Sequence, residues 1–248
     1  MKLFLCILVL AYASGICGKV LPDAVTKLLC HRSDPDLNEC LLKNTGKILS
    51  LLANGIPSYN IDPIDPQNVK FMTTEGDIEN VKINMIMKNI TLYGLSTTKY
   101  NKYTFDPDSL TVDLSLFMPH LRMTCEYYAT GRLFVLPLES SAYFDGNCYN
   151  SNITFNIRLK EVKRKGITYF AVEKITETVY TEKSTINLTS IVPAEQPAVN
   201  VIQNFYNQNN RLVLDTINPL VALHGPIYYQ HVIDRFLRKV PAEELLPK

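Results

Sequence analysis

The sequence predicts an α+β fold in one domain: a block of long antiparallel strands, dry on one face, covered by an apolar C-terminal helix. Two stretches carry the strand reading. Ile153, Phe155, Ile157 and Leu159 alternate with Asn152, Thr154, Asn156, Arg158 and Lys160, and strict period two marks a strand with one buried face. Leu121, Met123, Cys125 and Tyr127 alternate in the same way with Arg122, Thr124, Glu126 and Tyr128. The cover is read from Ile217, Leu220, Val221, Leu223, Ile227, Tyr228, Val232 and Phe236, which recur at helical spacing. Strands grouped in one run and followed by a helix indicate α+β rather than alternating α/β.

Taken in order, the chain opens with Met1-Lys2, an apolar run from Leu3 to Leu10 and small residues to Gly18. That is the layout of a secretory signal peptide, and the run falls short of the roughly 20 apolar residues a membrane span needs. Cleavage is expected near Gly18, giving a signal peptide at 1–18 and a domain at 19–248. A cut at the Ala11-Tyr12-Ala13 pattern would leave Cys17 in place, whereas the later cut removes Cys6 and Cys17 and leaves four cysteines, an even number suited to an oxidising compartment. A short helix is expected from Leu21 to Cys30, with Pro22 tolerated in its first turn. His31 to Pro35 reads as a turn. Asp36 then starts a second helix, with Glu39 placed for a capping box. Its stripe is Leu37, Leu41, Ile48 and Leu52, and Asn54-Gly55 supplies the stop. Strands run from about Phe71 to Val192. Lys163-Arg164-Lys165-Gly166 is a polar turn, and the strand after it runs from Ile167 to about Tyr180, closing a long hairpin. Pro219 and Pro226 each remove a helix hydrogen bond, so the C-terminal helix is expected to bend or break. The charges of Asp234, Arg235, Arg238 and Lys239 follow.

Composition excludes several classes. The chain has 248 residues, a net charge of +1 and 20% charged residues, so neither disorder nor a phosphate-tracking surface is expected. No nucleic-acid partner follows, and no second apolar run is long enough for stable membrane insertion. The catalytic motifs are missing: no G-x-S-x-G elbow, H-E-x-x-H or P-loop occurs. His31, His120, His224 and His231 lie far apart, and no metal or other cofactor is expected. Cys30 and Cys40 close a small loop, worth roughly 2–3 kcal/mol by chain entropy. Cys125 and Cys148 remain as a plausible second, cross-strand pair. Sequons stand at Asn89, Asn152 and Asn187, and Asn152 and Asn187 fall on polar strand faces. Asn89 shares parity with Val81, Ile83, Met85 and Met87, so a β-bulge near Met87–Asn89 is expected to turn it outward.

The positive signal is apolar. A wide sheet facing a long helix is filled by side chains or leaves room for a ligand. Met72, Met85, Met87, Phe117, Met118 and Met123 are adaptable wall material. Tyr127 sits on the dry parity, where its hydroxyl is a candidate to orient a ligand's one polar group.

Several segments resemble one known family. Cys30-His-Arg-Ser-Asp-Pro-Asp-Leu-Asn-Glu-Cys40, Gly55-Ile-Pro and Ile64-Asp-Pro resemble segments of the insect takeout and haemolymph juvenile-hormone-binding proteins. So do Asn89-Ile-Thr-Leu-Tyr-Gly94, Tyr127-Tyr-Ala-Thr-Gly131-Arg-Leu-Phe134-Val-Leu136-Pro, Asn207-Gln-Asn-Asn-Arg211 and Val240-Pro-Ala-Glu-Glu-Leu-Leu-Pro247. The ten-residue step from Cys30 to Cys40 looks more like the takeout branch. The resemblance implies a tubular lipid-binding (TULIP-like) fold, with a highly curved antiparallel sheet wrapped around a long C-terminal helix. It implies a tunnel for a lipophilic small molecule, a juvenile hormone, another terpenoid or a fatty ligand, and no enzyme activity. It further implies an extracellular carrier, leaving room for a receptor or a ligand-accepting protein as a second partner. Tyr127, Met123, Leu121, Met85, Met87, Phe117, Phe134, Leu220 and Ile227 are the candidate lining. Two departures stand out, the extra Cys125–Cys148 pair and Pro226 in the tunnel helix. Two rival readings are an interaction protein with a filled core and a membrane-docking lipid exchanger.

Overall fold

The computed structural model describes residues 21–57 and 63–247. The expected signal peptide lies outside the described residues, as do the side chains of Tyr228, Val232 and Phe236. The elements are α1 (Asp23–Thr26), α2 (Leu37–Leu52), β1 (Gln67–Ile78), β2 (Val81–Tyr93), β3 (Lys99–Asp106), β4 (Thr111–Leu133), β5 (Leu136–Arg164), β6 (Ile167–Ser190), α3 (Gln196–Gln208), α4 (Asn210–Leu237) and α5 (Ala242–Leu245). The strands form one antiparallel sheet in the order β1-β2-β4-β5-β6. β2 pairs with Arg122–Leu133 of β4 and β3 with Thr111–Phe117, so the two follow one another along one edge of the longer strand. Gly94 turns the chain between them at φ +91°, where any Cβ would run into the His120 carbonyl. The Asp65 carboxylate accepts hydrogen bonds from the Gly94 and Ser96 amides at 2.9 and 2.8 Å and fixes that turn.

Strand length forces the curvature. β5 has 29 residues and α4 has 28. Straight, β5 would measure roughly 95 Å, against about 42 Å for the helix. The sheet therefore has to curl around its cover, as expected. A crease helps it do so. In β4 the buried positions are Val112, Leu114, Leu116 and Met118, then Cys125, Tyr127 and Ala129. β5 changes parity between Gly146 and Ser151, with Ser140 and Ala142 buried before the change and Ser151, Ile153 and Phe155 after it. β6 does the same between Thr181 and Ser184. Pairing stays in register across the change, since Met118 faces Ser151, His120 faces Tyr149, and Tyr149 faces Lys183. Three strands thus change phase together along a line through Pro119, Asn150 and Glu182. Asn150 takes φ +52°, and its side-chain amide donates to Glu182 Oε2 at 2.7 Å.

The helices close the open edge. β6 ends the sheet, and a bare edge invites strand addition. Side-chain amides supply the missing partners. Gln196 Oε1 accepts from the Ser190 amide (2.8 Å), Gln203 Oε1 from Leu188 (2.6 Å), Asn207 Oδ1 from Ile186 (2.9 Å) and Asn210 Oδ1 from Ser184 (3.0 Å). Gln196 to Asn210 advances about 21 Å along helix, and Ser190 to Ser184 about 20 Å along strand. The two repeats match, so one helix face serves four alternate strand residues.

Several expectations hold. The second helix covers Leu37–Leu52, the polar turn falls at Lys165-Gly166, and Cys30 and Cys40 are bonded with their Cα atoms 6.0 Å apart. The bulge in β2 is present: register shifts between Lys88 and Thr91, Asn89 takes φ +51°, Asn89 is exposed and Ile90 buried.

Others are corrected. The helix expected over Leu21 to Cys30 is the single turn α1, after which the chain extends to reach the disulfide. The capping box does not form. Asp36 makes no side-chain cap; instead its amide donates to the Asp34 carboxylate at 2.9 Å, an Asx turn that does the same work one step earlier. The C-terminal helical region begins at Gln196, well before Ile217. Its break lies at Asn209, and α4 runs on through Pro219 and Pro226. Burial of Leu220, Ile233 and Leu237 on either side holds the helix together across them. Cys125 and Cys148 are free thiols. Register explains it: Cys125 faces Phe144, while Cys148 faces Leu121. Four residues of offset is about 13 Å along the strands, beyond disulfide reach.

Candidate ligand-binding cavity

Among the described residues, the buried apolar side chains form three clusters. The cluster beside the disulfide borders a partly open cavity of about 160 Å³. Five layers meet there. Leu21, Val25, Leu28 and Leu29 come from α1 and the residues on either side of it, and Leu41, Thr45 and Ile48 from α2. Tyr103, Phe105 and Val112 come from β3 and β4, and Ile157, Leu159 and Phe170 from the far ends of β5 and β6. Ile233 and Leu237 of α4, with Leu245 and Leu246 of the tail, complete it. Few polar groups intrude. The Thr45 hydroxyl is spent on the Leu41 carbonyl at 2.6 Å, and Asn44 donates weakly to Cys40 Sγ at 3.5 Å.

Local sequence explains how these pieces assemble. The Cys30–Cys40 bond ties the segment after α1 to the first turn of α2. Asn38, in that same turn, accepts from the Phe105 amide at 2.8 Å and pins α2 to β3. The Arg32 amide donates to the Pro247 carbonyl at 2.6 Å, bringing the chain's tail against its start. Asp234 accepts from the Val172 amide at 2.7 Å, fixing the end of α4 on β6. What results is a dry space walled by helices from both ends of the chain.

None of the nine residues proposed from sequence lines this cavity. Tyr127, Met85, Met87 and Met123 do come together, in the second cluster, with Ile90, Cys125, Ile186 and Val199. Tyr127 is buried, and its hydroxyl already shares a hydrogen bond with Ser140 Oγ at 2.8 Å. Burial pushes its pKa up. Phe134 and Leu220 belong to the third cluster, where Phe134 packs on Phe205 with ring centroids 5.8 Å apart. Leu121 packs against the edge of the first cluster. Two assignments are wrong in direction. Phe117 has the opposite parity to buried Leu116 and Met118, so it faces away from the core. Ile227 is 65% exposed, on the solvent side of α4.

The lining that sequence reasoning missed carried one usable signal, the apolar stretch Leu21–Cys30 with no cover assigned to it. A second hollow, of about 360 Å³, lies among outward-facing Asn89, Glu126, Asp145 and Asn187, with Cys125 and Phe144 at its floor. Two sequon asparagines thus stand at its rim. Burial drives the thiols of Cys125 and Cys148 to about 11, leaving both protonated and unreactive. Among the described residues, no group of His, Cys, Asp and Glu is placed to hold a metal ion.

Comparison with known proteins bears on the whole chain. Its fold is similar to the crystal structure of Epiphyas postvittana Takeout 1, with a TM-score of 0.68 and 19% identity over 89% of this chain and 99% of that one. A weaker likeness is to a lipopolysaccharide binding protein, with a TM-score of 0.32 and 11% identity over 71% of this chain and 34% of that one. The comparison with curated proteins finds no significant match. A family model described as haemolymph juvenile hormone binding protein matches residues 3–247. With a curled antiparallel sheet, C-terminal helices and a family match over nearly its full length, the chain belongs to the haemolymph juvenile hormone binding protein family.

Proposed function

We propose that this chain is a secreted carrier that shields one lipophilic small molecule, a terpenoid such as a juvenile hormone or a fatty ligand, from water. The observation that carries the reading is the dry cavity at the disulfide end, with almost every wall atom apolar. Its mechanism is burial, each CH₂ moved out of water contributing about 0.8 kcal/mol. Because α1, α2 and the tail form part of the cavity wall, parting these pieces widens ligand entry while the sheet stays intact. Family membership supports the ligand class, and the signal-peptide pattern together with the Cys30–Cys40 bond supports secretion.

A terpenoid or fatty-acid panel tests the reading by displacement of a fluorescent lipid probe and by thermal shift. A true ligand at a hundred times its Kd adds about 2.7 kcal/mol of stability. Absence of any displacement and any shift across the panel rejects it. Secretion is tested separately, by comparing the culture medium of cells expressing the full chain with that of cells expressing 19–248.

A further inference from the structure

Most buried polar side chains in this interior are satisfied. Tyr127 bonds Ser140, Ser151 bonds Thr181, and Ser184 bonds Tyr206. Glu177 is different. It is 8% exposed, and its Oε2 has no hydrogen-bond partner among the described residues. Nε2 of His224, on the helix opposite, is likewise buried and unpaired. A buried carboxyl with no partner among the described residues costs stability, so its presence here asks for an explanation.

Its position suggests one. Glu177 faces Phe155 across the β5–β6 ladder, and Ile175 faces Ile157, a wall residue of the cavity. Glu177 is therefore two residues, about 7 Å, deeper than that wall. The helix keeps step: Ile233 lines the cavity, Tyr229 is one turn inward, and Gly225 one turn further. A side chain at Gly225 would collide with Glu177 Oε2, so glycine is what admits the carboxyl against α4. Phe155, opposite Glu177 on β5, and Tyr229, one turn from Gly225, form an edge-on pair between the cavity and the carboxyl, with centroids 5.4 Å apart.

We propose that Glu177 is the polar anchor of the binding site, accepting a hydrogen bond from the hydroxyl of an apolar alcohol whose tail fills the cavity. The proposal rests on the carrier reading and adds the chemistry of the ligand's head group. Access requires the Phe155–Tyr229 pair to rotate apart. Burial places the Glu177 pKa at about 7, and either protonation state keeps an oxygen able to accept.

The test compares 1-dodecanol with dodecyl methyl ether, which has the same tail and no donor, by displacement of a fluorescent lipid probe at about pH 8.5, where the Glu177 carboxyl is ionised and can only accept. The wild-type protein is expected to bind the alcohol at least tenfold more tightly, the scale of a hydrogen bond to a carboxylate. Glu177→Leu is expected to bind both within about twofold, and Glu177→Gln, which keeps an acceptor oxygen but adds an N–H donor that the ether can use, to show a smaller preference. Where Glu177→Leu fails to fold, Gly225→Ala displaces the same carboxyl and takes its place. Equal binding of both probes by the wild type, or a preference surviving the loss of the carboxyl, overturns the anchor and leaves the carrier intact. Binding of neither probe overturns the anchor as stated for an apolar alcohol, and the carrier reading is then decided by the terpenoid and fatty-acid panel alone.

Discussion

The side-chain amide of Asn207 holds the backbone of Ile186 at both ends. Its Nδ2 donates to the Ile186 carbonyl at 2.8 Å and its Oδ1 accepts from the Ile186 amide at 2.9 Å. One side chain so reproduces the paired bonds of an adjacent strand. Asn210 does the same for Ser184, with Nδ2 2.6 Å from the carbonyl and Oδ1 3.0 Å from the amide. The helix layer is thereby bonded to the sheet edge as well as packed on its face. Such an edge satisfies its main chain without exposing it to another strand.

Asn207→Leu leaves both main-chain groups of Ile186 unpaired. The expected loss is about 2–4 kcal/mol, from two orphaned groups at 1–3 kcal/mol each with partial relief by water. Urea denaturation checks this, and Asn207→Asp, which keeps the acceptor and loses the donor, is expected to fall between. A loss under about 0.5 kcal/mol, the size of an ordinary surface substitution, would show that the clasp is decorative.

Glu177 makes stability depend on pH. Burial raises its carboxyl from 4.5 to about 7. Between those values the native state keeps a proton that the unfolded chain has released. The Glu177 contribution is most favourable below 4.5, falls as pH rises to about 7 and then levels, a loss on the order of 3 kcal/mol. Glu177→Gln removes that slope, which melting curves of the two proteins from about pH 4.5 to 8 make visible. Asp145 works in the opposite sense at lower pH. The hydrogen bond from Arg122 lowers its pKa, so its contribution is present above its unfolded pKa and lost as pH falls through the folded one.

Alkylation of the unreduced, unfolded protein is expected to label Cys125 and Cys148 and to spare Cys30 and Cys40. Peptide mass spectrometry reads it. Replacing Cys30 and Cys40 together by serine is expected to cost roughly 2–3 kcal/mol. Serine at Cys148 alone, by contrast, exchanges a half-buried free thiol for a more polar hydroxyl and leaves the disulfide intact.

Asn89, Asn152 and Asn187 are all exposed. When the chain passes through a secretory pathway, each is expected to carry a glycan. Glycosidase treatment should lower the mass in three steps, and each Asn→Gln substitution should remove one. Retention of the unmodified mass in the medium would contradict that expectation.

Much of this fold can be read in the sequence because period two is a local property. The alternation around Ile153 and around Leu121 each identified a correct inner face, and the parity conflict at Asn89 located a real bulge. The crease through Pro119, Asn150 and Glu182 could not be read that way. Its logic is in the pairing, where three strands shift phase together, and each strand alone shows only two unrelated patterns. The helix from Gln196 was missed for a chemical reason: Gln203, Asn207 and Asn210 face the sheet edge, where an apolar stripe would ordinarily be sought. The cavity at the disulfide end was not legible for a topological reason. Leu28 and Leu29 line it together with Leu245 and Leu246, and the Arg32 amide bound to the Pro247 carbonyl holds these opposite ends of the chain together.

Photo-crosslinking tests the central claim most directly. A fatty acid bearing a diazirine at the end of its tail is bound, irradiated and mapped by peptide mass spectrometry. If the cavity at the disulfide end is the binding site, adducts fall on the segments carrying Val25, Ile48, Ile233 and Leu245. Adducts confined to Met85, Met87, Met123 and Tyr127 would place the ligand in the second cluster and contradict the account.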